Sequence, residues 1–335
     1  MANIYRISTL LLLLCCFQTG HAEWIKQDTQ TLSWLRDVFF VNPTTGWIVG
    51  TDGVMLSTDN GGQTWRQSPK FTTDALIQVH FTSESTGWLL CERNAYTRGA
   101  NAISYLQKTT NGGRNWEKIE FQEGGRARVT RLIFNKDGIG TAFGENGIFY
   151  KLQDDGTTWR KSPSQIRFLL LDGAFSDGSV GAIVGTGGTI LFTQDSGLTW
   201  EKASVLGDAD TRFNAVYFAG QKNACAVGSK GRIFRSSGGQ LWRQTNSGTT
   251  SDLNDVFFTS PANGWAVGDN GTILRTRDAG TTWTEANSHV THRLEKIVFS
   301  GERGWAVGFG GTVLTYNLSV TNPATDSKPA SQRRN

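Results

Sequence analysis

One phrase, Gly-Trp-x-Val-Gly, recurs along this chain, and a phrase repeated at near-constant spacing leaves few folds open. It stands at 46–50, 264–268 and 304–308, and looser copies begin at Gly87 (GWLLC), Gly140 (GTAFG), Gly181 (GAIVG) and Ala224 (ACAVG). Successive starts lie 40 to 43 residues apart, except for a longer step between Gly87 and Gly140. A phrase ending in Phe precedes each copy: LRDVFF from Leu35, LIQVHF from Leu76, VTRLIF from Val129, LLDGAF from Leu170, FNAVYF from Phe213, LNDVFF from Leu253 and LEKIVF from Leu294. A Gly-rich turn phrase ending in Trp follows every copy but the last, with its Trp at 65, 116, 159, 200, 242 and 283.

Each repeat thus holds four short β-type segments separated by Gly, Asp and Asn. We label them a (LRDVFF), b (GWIVG), c (VMLST) and d (TWRQS). A four-stranded unit of this length matches a propeller blade, and a lone blade cannot bury both faces of its sheet. The expected fold is an all-β, seven-bladed β-propeller with four-stranded blades. The last blade ends at Tyr316 without a strand d, whereas the segment from Glu23 reads EWIKQ, like NWEKI at 115–119. Residues 23–28 are therefore expected to complete the last blade and close the ring, covering edges that would otherwise stay unpaired. The 12 tryptophans have a structural role in this scheme, as rings packed between blades.

Residues 1–22 read as a secretory signal, with Arg6 before the apolar run 10–17 and cleavage before Glu23. Periplasmic or other export is expected. A lipidated Cys usually follows a small residue, and Cys15 follows Leu14, so no lipid anchor is expected. Cys91 and Cys225 lie three repeats apart and are read as buried thiols rather than a disulfide. Residues 317–335 are polar and expected to be disordered. The mature domain is 23–316, expected as a monomer.

The turn phrase, as in Thr193-Gln194-Asp195-Ser196-Gly197-Leu198-Thr199-Trp200, resembles the Asp-box, or bacterial neuraminidase repeat. Combined with GWAVG and the following G-x-I-L-x-T, it resembles the photosystem II assembly/stability factor family of cyanobacteria and plastids and its relatives in other bacteria. That resemblance spans 23–316. It implies a non-enzymatic, chaperone-like scaffold on the lumenal or periplasmic side. The scaffold would hold a membrane-protein intermediate, in that family a photosystem II reaction-centre subunit, and present an arginine patch.

Asp-box propellers also include sialidases, which need an arginine triad, a Tyr–Glu nucleophile pair and usually six blades. No such pair is recognisable among the tyrosines, and neither a phosphate loop nor a G-x-S-x-G phrase occurs. No catalysis, cofactor or metal site is expected. The formal net charge of +4, without Lys/Arg runs, does not suggest nucleic-acid binding.

In a propeller the d–a and b–c connections share one face with the channel mouth. Arginines cluster on those connections: Arg126 and Arg128, Arg167, Arg212 and Arg293, with Arg131 inside strand a and Arg93 and Arg98 in an enlarged b–c region of blade 2. The expected partner-binding residues are Arg126, Arg128, Arg131 and Arg167, then Arg93, Arg98 and Arg212. The partner would be an acidic segment of a membrane-associated protein, with peripheral membrane association following from it, because a guanidinium pairs bidentately with carboxylates. The alternative is a carbohydrate-active or glycan-binding propeller, with Tyr96 and Phe309 as its aromatic candidates.

Overall fold

A computed structural model describes residues 23–94, 102–176, 178–208 and 210–319. The signal sequence, Tyr96, Arg98 and the tail beyond 319 lie outside the described residues. Seven sheets, antiparallel through their four blade strands, follow one another around a ring, and in six of them a, b, c and d run in chain order. In the seventh, strands Leu294–Ser300, Arg303–Gly308 and Val313–Asn317 are completed by Ile25–Gln27. Ile25 pairs with Thr315 and Gln27 with Val313, antiparallel, so the N-terminal strand closes the circle as the repeat register requires.

The recurring phrases map onto one packing device. The Trp of strand b stacks on the last Phe of strand a in the next blade: Trp47 on Phe81 at 3.9 Å and Trp305 on Phe40 at 4.1 Å. The Trp of strand d then meets that same Phe at an angle, as in Phe81–Trp116 (6.0 Å) and Phe40–Trp65 (5.8 Å). Hydrophobic clusters therefore lie between blades rather than within them. The Asp-box turns are held by their own side chains. Asp195 accepts from the Thr199 N–H and hydroxyl, and the Gly197 N–H donates to Thr193 Oγ1.

The glycine ending each GWxVG phrase answers a close backbone approach. A Cβ on Gly268 would stand 2.1 Å from the Asp252 carbonyl, and on Gly50 2.3 Å from that of Trp34. Blade 2 has Cys91 in this place. Its strand b continues to Glu92 and strand c resumes only at Ser104, whereas blades such as the first turn through a single 3-10 turn (Thr51–Gly53). The missing glycine and the enlarged loop thus occur together.

One feature departs from the four-stranded plan. Ser204–Leu206, in the connection from blade 4 to blade 5, adds a fifth, parallel strand against Leu241–Thr245. Cys91 and Cys225 are buried free thiols.

Candidate partner-binding site

Strand a is the innermost strand, and all seven copies carry a register shift between their first and third residues. Such a bulge sets two residues against one and re-aims side chains. Its effect here is to turn both the second and third residues of strand a toward the ring's axis.

The third positions form a ring that is polar except in blade 5. Around it stand Asp37, Gln78, Arg131, Asp172, Ala215, Asp255 and Lys296. Three of them tie each blade to the next: Asp37 accepts the Val79 N–H (3.0 Å), Asp172 the Val216 N–H (3.1 Å) and Asp255 the Ile297 N–H (2.9 Å). Gln78 makes the same tie with its amide, accepting from Leu132 N–H and donating to the Leu132 carbonyl. Two ion pairs sit within the ring, Arg131 Nε–Asp172 Oδ1 at 2.7 Å and Lys296 Nζ–Asp255 Oδ1 at 2.9 Å. Burial would discharge Arg131, but Asp172, Asp37 and Asp255 outweigh it and hold the guanidinium charged. Burial pushes Asp255 up to about 6 against the pull of Lys296, and raises Asp37, which Arg131 and Lys296 partly offset.

Above this ring opens a pocket of about 240 Å³ at the channel mouth. Five arginines line it, Arg36, Arg128, Arg131, Arg212 and Arg293, against three glutamates, Glu92, Glu145 and Glu295. The glutamates hold three of the guanidinium groups in place, those of Arg36, Arg128 and Arg293. Arg128 Nε lies 3.2 Å from Glu92 and 4.0 Å from Glu145, whose other oxygen accepts the Arg128 backbone N–H. Arg293 bridges Glu295 (2.8 Å) and Asp269 (3.0 Å). Arg36 lies 3.8 Å from Glu295 and over the Trp34 ring. Arg212 is exposed and makes no ion pair among the described residues.

The structure therefore brings together Arg128, Arg131 and Arg212 of the expected set. Arg126 is exposed but outside this pocket. Arg167 lines a neighbouring pocket with Glu123 and Lys161, and its guanidinium donates to the Ser164 and Ile166 carbonyls. Arg93 is placed differently from the surface role expected of it. Its side chain is only 5% exposed, donates to the Ala102 carbonyl, pairs with Glu120 and lies over the Tyr105 ring, so it anchors the enlarged loop. Arg36 escaped the sequence reading because it is the second residue of a strand phrase that looks like core; lining up the seven strand-a phrases by column would have exposed it. The half-exposed Phe309 packs against Trp34 and His292 at the rim.

The family model described as "Photosynthesis system II assembly factor YCF48" matches residues 17–165, 153–246 and 235–317, essentially the whole propeller. The chain belongs to the YCF48 family. A curated relative, "Photosystem II assembly lipoprotein Ycf48" of Synechococcus sp. (strain CC9902), is 26% identical over 148 residues, covering 42% of this chain and 40% of that one. The chain thus aligns with less than half of that relative's length. Two solved YCF48 structures share the fold. "YCF48 bound to D1 peptide" has a TM-score of 0.71 at 21% identity, covering 89% of this chain and 95% of that one. "YCF48 from Cyanidioschyzon merolae" has a TM-score of 0.71 at 19% identity, covering 89% and 100%. The cyanobacterial relative is a lipoprotein by name, which runs against the expectation that this chain lacks a lipid anchor; Cys15 and Cys16 lie outside the described residues.

Proposed function

We propose that this propeller is an exported, non-catalytic assembly scaffold that holds an acidic segment of a membrane-protein client at its channel mouth. The observation that carries the reading is the convergence of Arg36, Arg128, Arg131, Arg212 and Arg293 on one pocket. Residues at or just before the start of strand a reach the axis from several blades, so arginines up to 257 positions apart in sequence share one concave surface. A carboxylate entering there can displace a glutamate from a guanidinium already oriented by its partner, at little cost in side-chain entropy. Membership of the YCF48 family supports a protein client, and a solved relative holds a D1 peptide. By this analogy the client is a photosystem II reaction-centre subunit or a protein of the same kind. The carbohydrate-active reading has no comparable support.

The test is binding of an acidic client peptide to wild type and to the double variant Arg128→Glu/Arg212→Glu. Loss of at least about tenfold in affinity, with the thermal midpoint kept, is the expected result. Equal affinity of the two proteins at low salt would refute the reading.

A further inference from the structure

Outside blade 2, each blade turns from strand b to strand c within a few residues, and the residue that opens the turn is Thr51, Glu145, Thr186, Ser229, Asp269 or Phe309. The first four do one job. Thr51 Oγ1 accepts the Trp34 N–H, Glu145 Oε2 that of Arg128, Thr186 Oγ1 that of Leu169 and Ser229 Oγ that of Arg212. Each bond pins the turn to the residue just before strand a of its own blade. Asp269 accepts from Asn254 and pairs with Arg293. Phe309 has no side-chain oxygen and can do neither.

Its ring is turned toward solvent instead. It is 50% exposed and meets Trp34 of blade 1 at 5.8 Å, with the planes 73° apart. The connection from the closing strand to blade 1 is fastened to the same turn, because the Gly311 N–H donates to the Ser33 carbonyl and Thr29 Oγ1 donates to the Gly311 carbonyl. That connection carries Leu32, which at 88% is the most exposed large apolar side chain among the described residues. Apolar side chains scattered singly over a surface are ordinary. Here two stand on segments bonded to each other, beside an indole, where the other turns carry a polar group.

This apolar shelf adjoins the arginine pocket. Arg36 lies 4.5 Å over the Trp34 ring and Arg293 5.9 Å from it, and both arginines line the pocket. Trp34 is therefore the wall between the two, with cations on the pocket side and Phe309 on the other.

We infer that the channel mouth reads a two-part motif: a carboxylate at the arginines and, from the same client segment, an apolar side chain on Leu32 and Phe309. The inference rests on the arginine reading given above and adds the residues that decide which acidic segments are held. The arginines alone would accept any acidic chain. The shelf favours one whose acidic residues stand next to leucine or phenylalanine, because only such a chain also removes Leu32 and Phe309 from water.

The probes are capped Glu-Glu-Gly-Leu-Leu and Leu-Leu-Gly-Glu-Glu, each titrated beside its counterpart with Ser for Leu. Wild type is expected to bind at least one Leu peptide about fivefold or more tighter than its Ser counterpart. Phe309→Thr copies the turns of blades 1 and 4 and supplies the missing acceptor, so it should keep or raise the thermal midpoint. Phe309→Thr and Leu32→Ser should each weaken that Leu peptide about threefold or more and leave its Ser counterpart unchanged. A lowered midpoint in Phe309→Thr with the Leu preference intact would make the ring structural and overturn the shelf. So would equal binding of Leu and Ser peptides by wild type while Arg128→Glu/Arg212→Glu still weakens both. If that arginine variant binds every peptide as wild type does, the arginine reading fails, and the two-part motif with it.

Discussion

Trp24 meets Trp265 edge-on, with ring centroids 5.6 Å apart and planes at 89°, although the two residues lie 241 positions apart in sequence. Trp24 also packs on Phe299 and Tyr316 and is 2% exposed. The N-terminal segment therefore closes the ring through packing as well as through strand pairing. Trp24→Ala should destabilise the protein by about 3–5 kcal/mol, read as a lower denaturation midpoint in urea. A variant as stable as wild type would mean that closure rests on strand pairing alone.

The channel ring predicts an unusual pH dependence at Asp37. Its carboxyl is raised above the ordinary value by burial, with Arg131 and Lys296 only partly offsetting that. A raised acid favours folding at low pH and loses that contribution as pH rises through its folded value. Asp37→Asn can still accept the Val79 N–H, as the Gln78 amide accepts that of Leu132. Relative to wild type, the variant should gain stability between pH 4 and pH 8, measured by urea unfolding at both. A loss that grows toward pH 8 would contradict the desolvation argument.

The Asp-box carboxylates act in the opposite direction. Asp155 is held down to about 2 by hydrogen bonds from Thr158 and Thr157. Asp195 is also at about 2: desolvation raises it, but the bonds from Thr193, Thr199 and Leu198 together outweigh that. A depressed acid stabilises above its unfolded value, and the contribution disappears as pH falls through the folded one. The propeller should therefore lose stability between about pH 4 and pH 2, followed by near-UV circular dichroism. Asp195→Asn should flatten part of that slope at a cost of about 1 kcal/mol or less near neutral pH, since Asn60 and Asn111 already serve blades 1 and 2.

Arg93 and Arg212 should separate stability from binding. Arg93→Ala leaves the half-buried Ala102 carbonyl and Glu120 without their cation, and about 1–3 kcal/mol of stability should go with it. Arg212→Ala should shift the thermal midpoint hardly at all and weaken an acidic peptide several-fold. Thermal melts and peptide titration on the same two proteins check both halves.

Gly268→Ala should prevent proper folding of blade 6, because the new Cβ would meet the Asp252 carbonyl at 2.1 Å and backbone cannot move aside as a side-chain tip can. Soluble yield and a thermal melt against wild type are the readout. A stable, soluble Ala variant would mean the loop before strand a has more freedom than its contacts indicate.

The blade count, the strand order within a blade and the closing role of residues 23–28 were all legible in the linear sequence. Each follows from a short-range pattern, an apolar run with turn glycines at set intervals, and seven copies make that pattern unambiguous. The fate of individual arginines was not legible. Arg93, Arg131 and Arg212 all stand in or beside loops and strands of the same face. One is buried against Glu120, one is locked to Asp172 of the next blade, and one is exposed at the mouth. Their partners come from other segments, so only the closed ring decides which charges meet.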